Sequence, residues 1–130
     1  MKRKQLIQLI TLLEISDASE EPAHVYDRVA GRLAAIGVPV DPSDIRMSLI
    51  ELVDSGFAKA YWLGPGPQKE IDGVPPPADF PDYYFWRTDK GLRIIPVWRK
   101  RWPFDDVGDL LPESSLLIDR EDRQESESNN

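Results

Sequence analysis

The first half of the chain places its hydrophobic residues at helical spacing in three separate stretches. In residues 4–15 they recur at i, i+3, i+4 and i+7, and further apolar positions widen the stripe, so this helix is expected to be buried on most sides. Residues 19–22 combine acids with a proline, which suits a first turn, and predict a second helix that stops at Gly37. The third helix has the clearest start, because Asp41 can cap it and a proline follows. Its predicted inner stripe comprises Ile45, Leu49, Leu52 and Val53.

The hydrophobic period changes after Gly56, where the third helix is expected to close. Residues 57–63 and residues 83–88 are short aromatic runs, and they predict two strands. The connection between them is rich in proline, and within it Asp72 and Gly73 are expected to form a tight turn.

A further helix is predicted to begin in residues 88–91, which read Thr-Asp-Lys-Gly. Proline lacks an N–H and its ring crowds the preceding turn, so Pro96 is expected to end or kink this helix near Ile95. Residues 112–130 are rich in serine, glutamate and asparagine and are expected to be disordered.

The order of these elements is that of a winged helix-turn-helix protein. Residues 45–57 resemble the third helix and following turn of bacterial winged-helix regulators. Residues 84–91 look like the end of the wing in PadR-like and MarR-like proteins, where a Thr-x-x-Gly step leads into the next helix. The resemblance implies an α+β, mainly helical fold over residues 1–104, with a three-helix core, a two-stranded wing and a C-terminal helix. The wing is longer than usual, and Arg87 stands where such proteins tend to place an apolar residue.

Charge is distributed unevenly between the predicted domain and its C-terminal end. The chain has a formal net charge of −7, and residues 105–130 account for all of it, with nine acids against two arginines. Residues 1–104 are therefore formally neutral, and residues 105–130 are predicted to be an acidic, disordered tail. The chain has no cysteine, which excludes disulfides and thiolate metal sites. Neither a secretory signal nor a membrane span is recognisable, so a cytoplasmic protein without a membrane partner is expected.

The resemblance implies that the third helix enters the major groove of DNA. With its inner stripe in the core, this helix is expected to turn three carboxylates outward, and Arg46 is its only cation. Carboxylates on that face would repel the phosphates. The residues expected on the outward face are Asp44, Met47, Ser48, Glu51, Asp54 and Ser55.

Cations outside the third helix could also contact DNA. Lys69 is the only cation of the loop between the two predicted wing strands. Residues 98–102 interleave two tryptophans with three cations, a pattern that can stack bases and hold phosphates. The alternative is that the tryptophans pack on the domain while the cations reach water. The candidate DNA-contacting residues are Arg46, Lys69, Arg99, Lys100 and Arg101.

Two functions remain open from the sequence. The first is a transcription regulator that binds DNA, as the fold resemblance implies, and that could form a homodimer through residues 4–15 and residues 92–104. The second is a winged-helix module that binds a partner protein and not DNA. The acidic tail could screen the basic residues 99–101 from nucleic acid, or it could simply keep the chain soluble.

The sequence contains no recognisable set of catalytic residues. His24 is the only histidine, and a metal site around it and the neighbouring acids is not favoured, because acids at a helix start serve the helix dipole equally well. A glycine- and proline-rich stretch in residues 64–69 lacks the Gly-Lys-Ser/Thr ending of a phosphate loop. We therefore expect no enzyme activity, no metal and no cofactor.

Overall fold

The computed structural model shows an α+β fold that is mainly helical. Within the ranges it describes, none of the helices is long and apolar enough to cross a membrane. Those ranges are residues 2–15, 22–62, 69–71, 73, 83–106 and 108–118. The elements in chain order are α1 (Lys2–Glu14), α2 (Pro22–Ala34), α3 (Pro42–Asp54), β1 (Ala58–Trp62), β2 (Lys69–Glu70), β3 (Tyr83–Arg87), α4 (Asp89–Arg99) and α5 (113–118).

Helix α1 lies at the centre of the fold and packs against α2, α3 and α4. Thr11 is buried as well, and its hydroxyl donates to the Ile7 carbonyl at 2.7 Å, so no polar atom of this side chain is left unpaired. The prediction that the first helix is buried on most sides is confirmed. Its buried apolar side chains are Leu6, Ile7, Leu9, Ile10 and Leu12.

Helix α3 begins with a reciprocal cap. The Asp41 carboxylate accepts from the Asp44 N–H at 3.1 Å, and the Asp44 carboxylate accepts from the Asp41 N–H at 3.1 Å. Pro42 occupies the first turn, where its missing N–H is not needed. The predicted start is confirmed, and the four residues of the predicted inner stripe are all buried. Gly56 ends the segment with a φ of +82°, a conformation that glycine adopts without strain.

The sheet has three antiparallel strands in the order β2-β1-β3. The two predicted strands are confirmed as β1 and β3, whose register runs from the Ala58–Arg87 pair to the Trp62–Tyr83 pair. The sequence did not predict β2, because a strand of two residues is too short to show alternation. Of the predicted tight turn, Asp72 lies outside the described residues.

The start of α4 is hydrogen-bonded to the chain that follows α3. The Thr88 hydroxyl accepts from the Gly91 N–H at 3.0 Å, which caps α4, and donates to the Gly56 carbonyl at 2.7 Å. The Thr88 N–H donates to the Phe57 carbonyl at 3.1 Å. A methyl group on Gly91 would overlap that same carbonyl oxygen, so glycine is required for the close approach. The predicted helix start in residues 88–91 is confirmed.

Pro96 lies inside α4, which continues to Arg99. Pro96 was predicted to end or kink this helix near Ile95; the helix does not end there, and the kink stays a prediction. Because Pro96 has no N–H, the Leu92 carbonyl lacks its usual partner four residues further on. Leu92 and Pro96 are both exposed, so water can bond to this carbonyl and the helix loses only one internal hydrogen bond.

The folded part of the chain extends past the boundary predicted at residue 104. Phe104 and Leu110 form an isolated antiparallel bridge, and α5 follows. Leu110 and Ile118 are buried in the main hydrophobic core, and residues 113–118 are helical where disorder was predicted. The acidic composition of this segment predicted disorder, although its few apolar residues pack on the domain. Residues 119–130 lie outside the described residues.

Replacing Gly91 with alanine is expected to lower the free energy of unfolding by about 2–3 kcal/mol, because the added methyl must displace a backbone carbonyl. Urea unfolding followed by circular dichroism measures the change. The matched control is Gly31→Ala in α2, where the added methyl meets no atom within 4 Å. That control is expected to stabilise the chain by about 0.5–1 kcal/mol. Equal effects of the two substitutions would contradict the close contact at Gly91.

Ile118→Ala is expected to lower the free energy of unfolding by about 2 kcal/mol, because this side chain is only 5% exposed and its removal leaves a cavity. The control is Leu116→Ala in the same helix, which removes a side chain that is 66% exposed and is expected to change stability by less than about 0.5 kcal/mol. The same urea titration applies to both variants. A neutral Ile118→Ala would show that α5 does not contribute to the core.

Candidate nucleic-acid interface

The exposed side of α3 is formed by residues that do not belong to its buried inner stripe. Ser43, Arg46 and Met47 are exposed along its first two turns, and Met47 is 52% exposed. Positions 43, 46 and 47 share one side of a helix, because residues three and four apart lie next to each other. This side presents a hydroxyl, a guanidinium and an apolar thioether to solvent.

Two of the three carboxylates predicted to face outward are turned toward α1. The Arg3 guanidinium lies 3.1 Å from the Asp44 carboxylate and also donates to the Pro39 carbonyl at 2.9 Å. The Lys4 ammonium lies 2.6 Å from the Glu51 carboxylate, which also accepts from the Gln8 amide. Both acids are half-buried, so the expected row of free carboxylates on the outward face is not present.

The remaining outward predictions for α3 divide between exposed and buried residues. Asp54 and Ser55 are exposed, as predicted, at the far end of the helix from Ser43. Ser48 is buried, which corrects its predicted outward position. Its side chain lies on the border between the inner stripe and the side that faces α1, and it lines a groove there with Ile7 of α1. The sequence pattern alone could not assign such a border position.

The positive charge of Arg46 acts on Tyr26 of α2. Burial raises the pKa of the Tyr26 hydroxyl above its ordinary value, and the positive charge of Arg46 opposes part of that rise.

The other candidate cations have different surroundings. Arg99 lies over the Phe104 ring, 4.6 Å from its centroid, and Lys100 is exposed at the end of α4. Arg101 lines a cleft between α1 and the end of α4. The backbone of Lys69 lies in β2, and its side chain is outside the part of the chain that the structure describes. The candidate cations therefore lie in different places. Arg99 packs on Phe104 in the C-terminal segment and Arg101 lies near α1, whereas Arg46 lies on the exposed side of α3.

The dimer surface expected from residues 4–15 is not available on α1. Its apolar side chains, apart from the half-buried Leu13, are buried within this one chain, where α1 contacts the other helices. In residues 92–104, Leu92 and Val97 are exposed on α4, whereas Trp102 is buried. Any contact between two copies through the predicted segments is therefore restricted to α4 and the residues beside it.

His24 is exposed on α2. In the part of the chain that the structure describes, no cluster of three or more histidine, cysteine, aspartate or glutamate side chains is positioned to hold a metal ion.

The outer side of the sheet carries residues that the sequence analysis did not single out. In the β1–β3 register, Lys59 lies opposite Trp86 and Tyr61 lies opposite Tyr84, so these four share one face. We call them the aromatic sheet face. Their neighbours along the strands, such as Ala60 and Phe85, are buried on the inner face. The signal was present in the sequence, because alternation in two aromatic strands requires some of the rings to point away from the core.

Comparison with protein-family models, with curated proteins and with solved structures finds no match to this chain.

The cap of α3 is expected to depend on pH. Hydrogen bonds from the Ser43 hydroxyl and the Asp44 N–H stabilise the ionised form of Asp41 and lower its pKa. A carboxyl whose pKa is lowered by folding stabilises the fold above its unfolded pKa, and this contribution is lost as the pH falls through the folded pKa.

Asp41→Asn keeps an oxygen acceptor for the cap but removes the titration. It is therefore expected to flatten the decline in melting temperature between about pH 5 and about pH 2, with little change near neutral pH. Thermal unfolding by circular dichroism at several pH values measures both effects. Superimposable pH profiles of the variant and the wild-type chain would contradict the role of the Asp41 charge.

Proposed function

We propose that this chain is a DNA-binding protein of the winged-helix class, with α2 and α3 as its helix-turn-helix and α3 as the helix that enters the major groove. Three features support the fold assignment. The element order matches that class, α3 is followed by an antiparallel pair of strands, and a Thr-x-x-Gly step at Thr88 and Gly91 leads into the last large helix. A role in transcription regulation is the function that this class most commonly serves, and that step is an analogy.

The observation that carries the proposal is the chemistry of the exposed side of α3. Base edges in the major groove are read by guanidinium and hydroxyl groups, and the thymine methyl by apolar side chains. Arg46 supplies the guanidinium, Met47 the apolar group and Ser43 a hydroxyl oxygen that can accept, since its proton is donated to the Asp41 carboxylate. They lie in the first two turns of α3, and in helix-turn-helix proteins the N-terminal residues of the recognition helix contact the bases.

The ion pairs between α1 and α3 remove much of the electrostatic objection to this function. Free carboxylates at positions 44 and 51 would meet the phosphates with repulsion. Arg3 and Lys4 compensate those two charges, which leaves Asp54 exposed near the C-terminal end of α3 and the capping Asp41 exposed directly before its first turn. The same pairing occupies two cations that could have contacted phosphates, so the affinity is expected to be modest and to depend on few contacts.

A protein-interaction module is the second candidate, and one observation favours it. Arg46 is the only cation on the helix that would enter the groove, beside a methionine that is 52% exposed. Exposed methionine suits an adaptable protein interface. The two candidates differ in their response to salt, because only binding to phosphates releases counterions.

Arg46→Gln is expected to weaken binding to duplex DNA by at least about fivefold, because it removes the one cation on the exposed side of α3. It should also reduce the slope of log affinity against log salt by about one if Arg46 contacts a phosphate. Fluorescence anisotropy of a labelled mixed-sequence duplex, titrated at several salt concentrations, measures both quantities.

The matched control is Arg93→Gln, which removes an exposed guanidinium from α4 and is expected to leave affinity and slope within error of wild type. Equal effects of the two substitutions would mean that any DNA binding is unspecific attraction to surface charge. The absence of duplex binding by the full chain at low salt would overturn the proposal in favour of a protein partner.

A further inference from the structure

We infer that the cleft between α1 and the end of α4 binds a small aromatic carboxylate. The ring of the ligand would lie against the indoles of Trp98 and Trp102, and its carboxylate would accept hydrogen bonds from the Arg101 guanidinium. The cleft is separate from the exposed side of α3, so this inference does not depend on the proposed function.

The cleft has two aromatic walls that the fold holds in place. Trp102 is only 6% exposed and belongs to the hydrophobic core. Trp98 is half-buried, and its ring packs edge to face on Phe57 with centroids 5.2 Å apart. The turn that follows α4 is closed by a hydrogen bond from the Arg101 N–H to the Trp98 carbonyl at 3.1 Å. Both rings are therefore positioned before a ligand binds, which lowers the cost of binding.

Helix α1 contributes two amides to the cleft. Gln5 and Gln8 lie one helical turn apart and share one side of α1. The Gln8 amide already donates to Glu51, and the charge of Glu51 is compensated by Lys4. Gln5 is exposed, and its amide can donate to a carboxylate.

Arg101 gives the cleft its charge. Its guanidinium is exposed, and within the part of the chain that the structure describes it forms no hydrogen bond and no ion pair. One cation and no carboxylate are found among the described residues that line the cleft, which are Gln5, Gln8, Trp98, Arg101 and Trp102.

The single cation selects the charge of the ligand. A guanidinium binds a planar carboxylate through two parallel hydrogen bonds, so a ligand with one carboxylate matches Arg101 in charge and in geometry. A neutral aromatic ligand would leave the guanidinium unpaired. A phosphate monoester carries more negative charge at neutral pH than one cation compensates.

The size and the walls of the cleft select the rest of the ligand. The volume of the cleft is about 220 Å³. Pockets for drug-sized ligands enclose about 300–1,000 Å³, so this cleft suits a compact ligand with a single ring. Aromatic pairs gain stabilisation beyond the area they bury, so indole walls favour an aromatic ring over an aliphatic ring of similar size.

The test titrates benzoate into the full chain labelled with nitrogen-15 and follows the indole N–H resonances of its 4 tryptophans. The resonances of Trp98 and Trp102 are expected to shift and to saturate, because the ring of the ligand lies against these indoles. Those of Trp62 in β1 and of Trp86 on the aromatic sheet face should not move. Each resonance is assigned through a single tryptophan-to-phenylalanine variant.

Arg101→Gln is expected to weaken benzoate binding by at least about fivefold, because charge-assisted hydrogen bonds are lost. The matched control is Lys100→Gln, which removes the neighbouring exposed cation outside the cleft lining and should leave affinity within error of wild type. Benzamide is a neutral probe of the same shape. It should bind more weakly than benzoate, and Arg101→Gln should not weaken it further.

The inference is overturned if benzoate does not saturate the shifts of Trp98 and Trp102, or if Arg101→Gln and Lys100→Gln weaken binding equally. Binding of cyclohexanecarboxylate as tight as that of benzoate would overturn the assignment of an aromatic ligand. Tighter binding of phenyl phosphate than of benzoate would overturn the assignment of a carboxylate.

Discussion

The close approach of Gly91 to the Phe57 carbonyl is the contact on which the arrangement of the sheet and the last large helix depends. Four elements meet there: the end of α3, the start of β1, the end of β3 and the start of α4. Thr88 donates its N–H to Phe57 and its hydroxyl to Gly56, so β3 and α4 are tied to the same short segment. Lys90 extends the junction, because its ammonium donates to the Ser55 carbonyl at 2.8 Å and lies 5.0 Å from the Phe57 ring centroid.

The junction also fixes the direction of α4 along the domain. The Phe57 ring meets Trp98 edge to face, with centroids 5.2 Å apart. Phe57 therefore contacts α4 twice. The carbonyl of Phe57 meets the first turn of α4, and the ring of Phe57 meets Trp98 near the end of α4.

Features that depend on a few neighbouring residues could be predicted from the sequence. The cap at Asp41 and the helix start at Thr88 each depend on groups within three residues of one another, and both are found as predicted. A local rule could not predict that α4 continues past Ile95, because the cost of Pro96 depends on its surroundings: Leu92 and Pro96 are both exposed, so water can bond to the Leu92 carbonyl.

The exposed side of α3 could not be predicted because it is decided by α1. Helical spacing identifies the inner stripe, but the remaining positions can face solvent or another helix equally well. Arg3 and Lys4, about 40 residues away in sequence, draw Asp44 and Glu51 toward α1. The candidate site changed accordingly, from a helix that presents three carboxylates to one that presents Ser43, Arg46 and Met47, with exposed carboxylates at its two ends, Asp41 and Asp54.

The ion pairs between α1 and α3 matter more for recognition than for stability. Partly exposed pairs contribute only about 0.2–1 kcal/mol each, because water screens them and two long side chains lose freedom. The helices are already held together by the buried residues of α1 and by the inner stripe of α3. Two half-buried carboxylates beside a phosphate backbone would nevertheless oppose every contact that Arg46 could make. Compensating them with Arg3 and Lys4 therefore costs the fold little, and it determines which macromolecules α3 can approach.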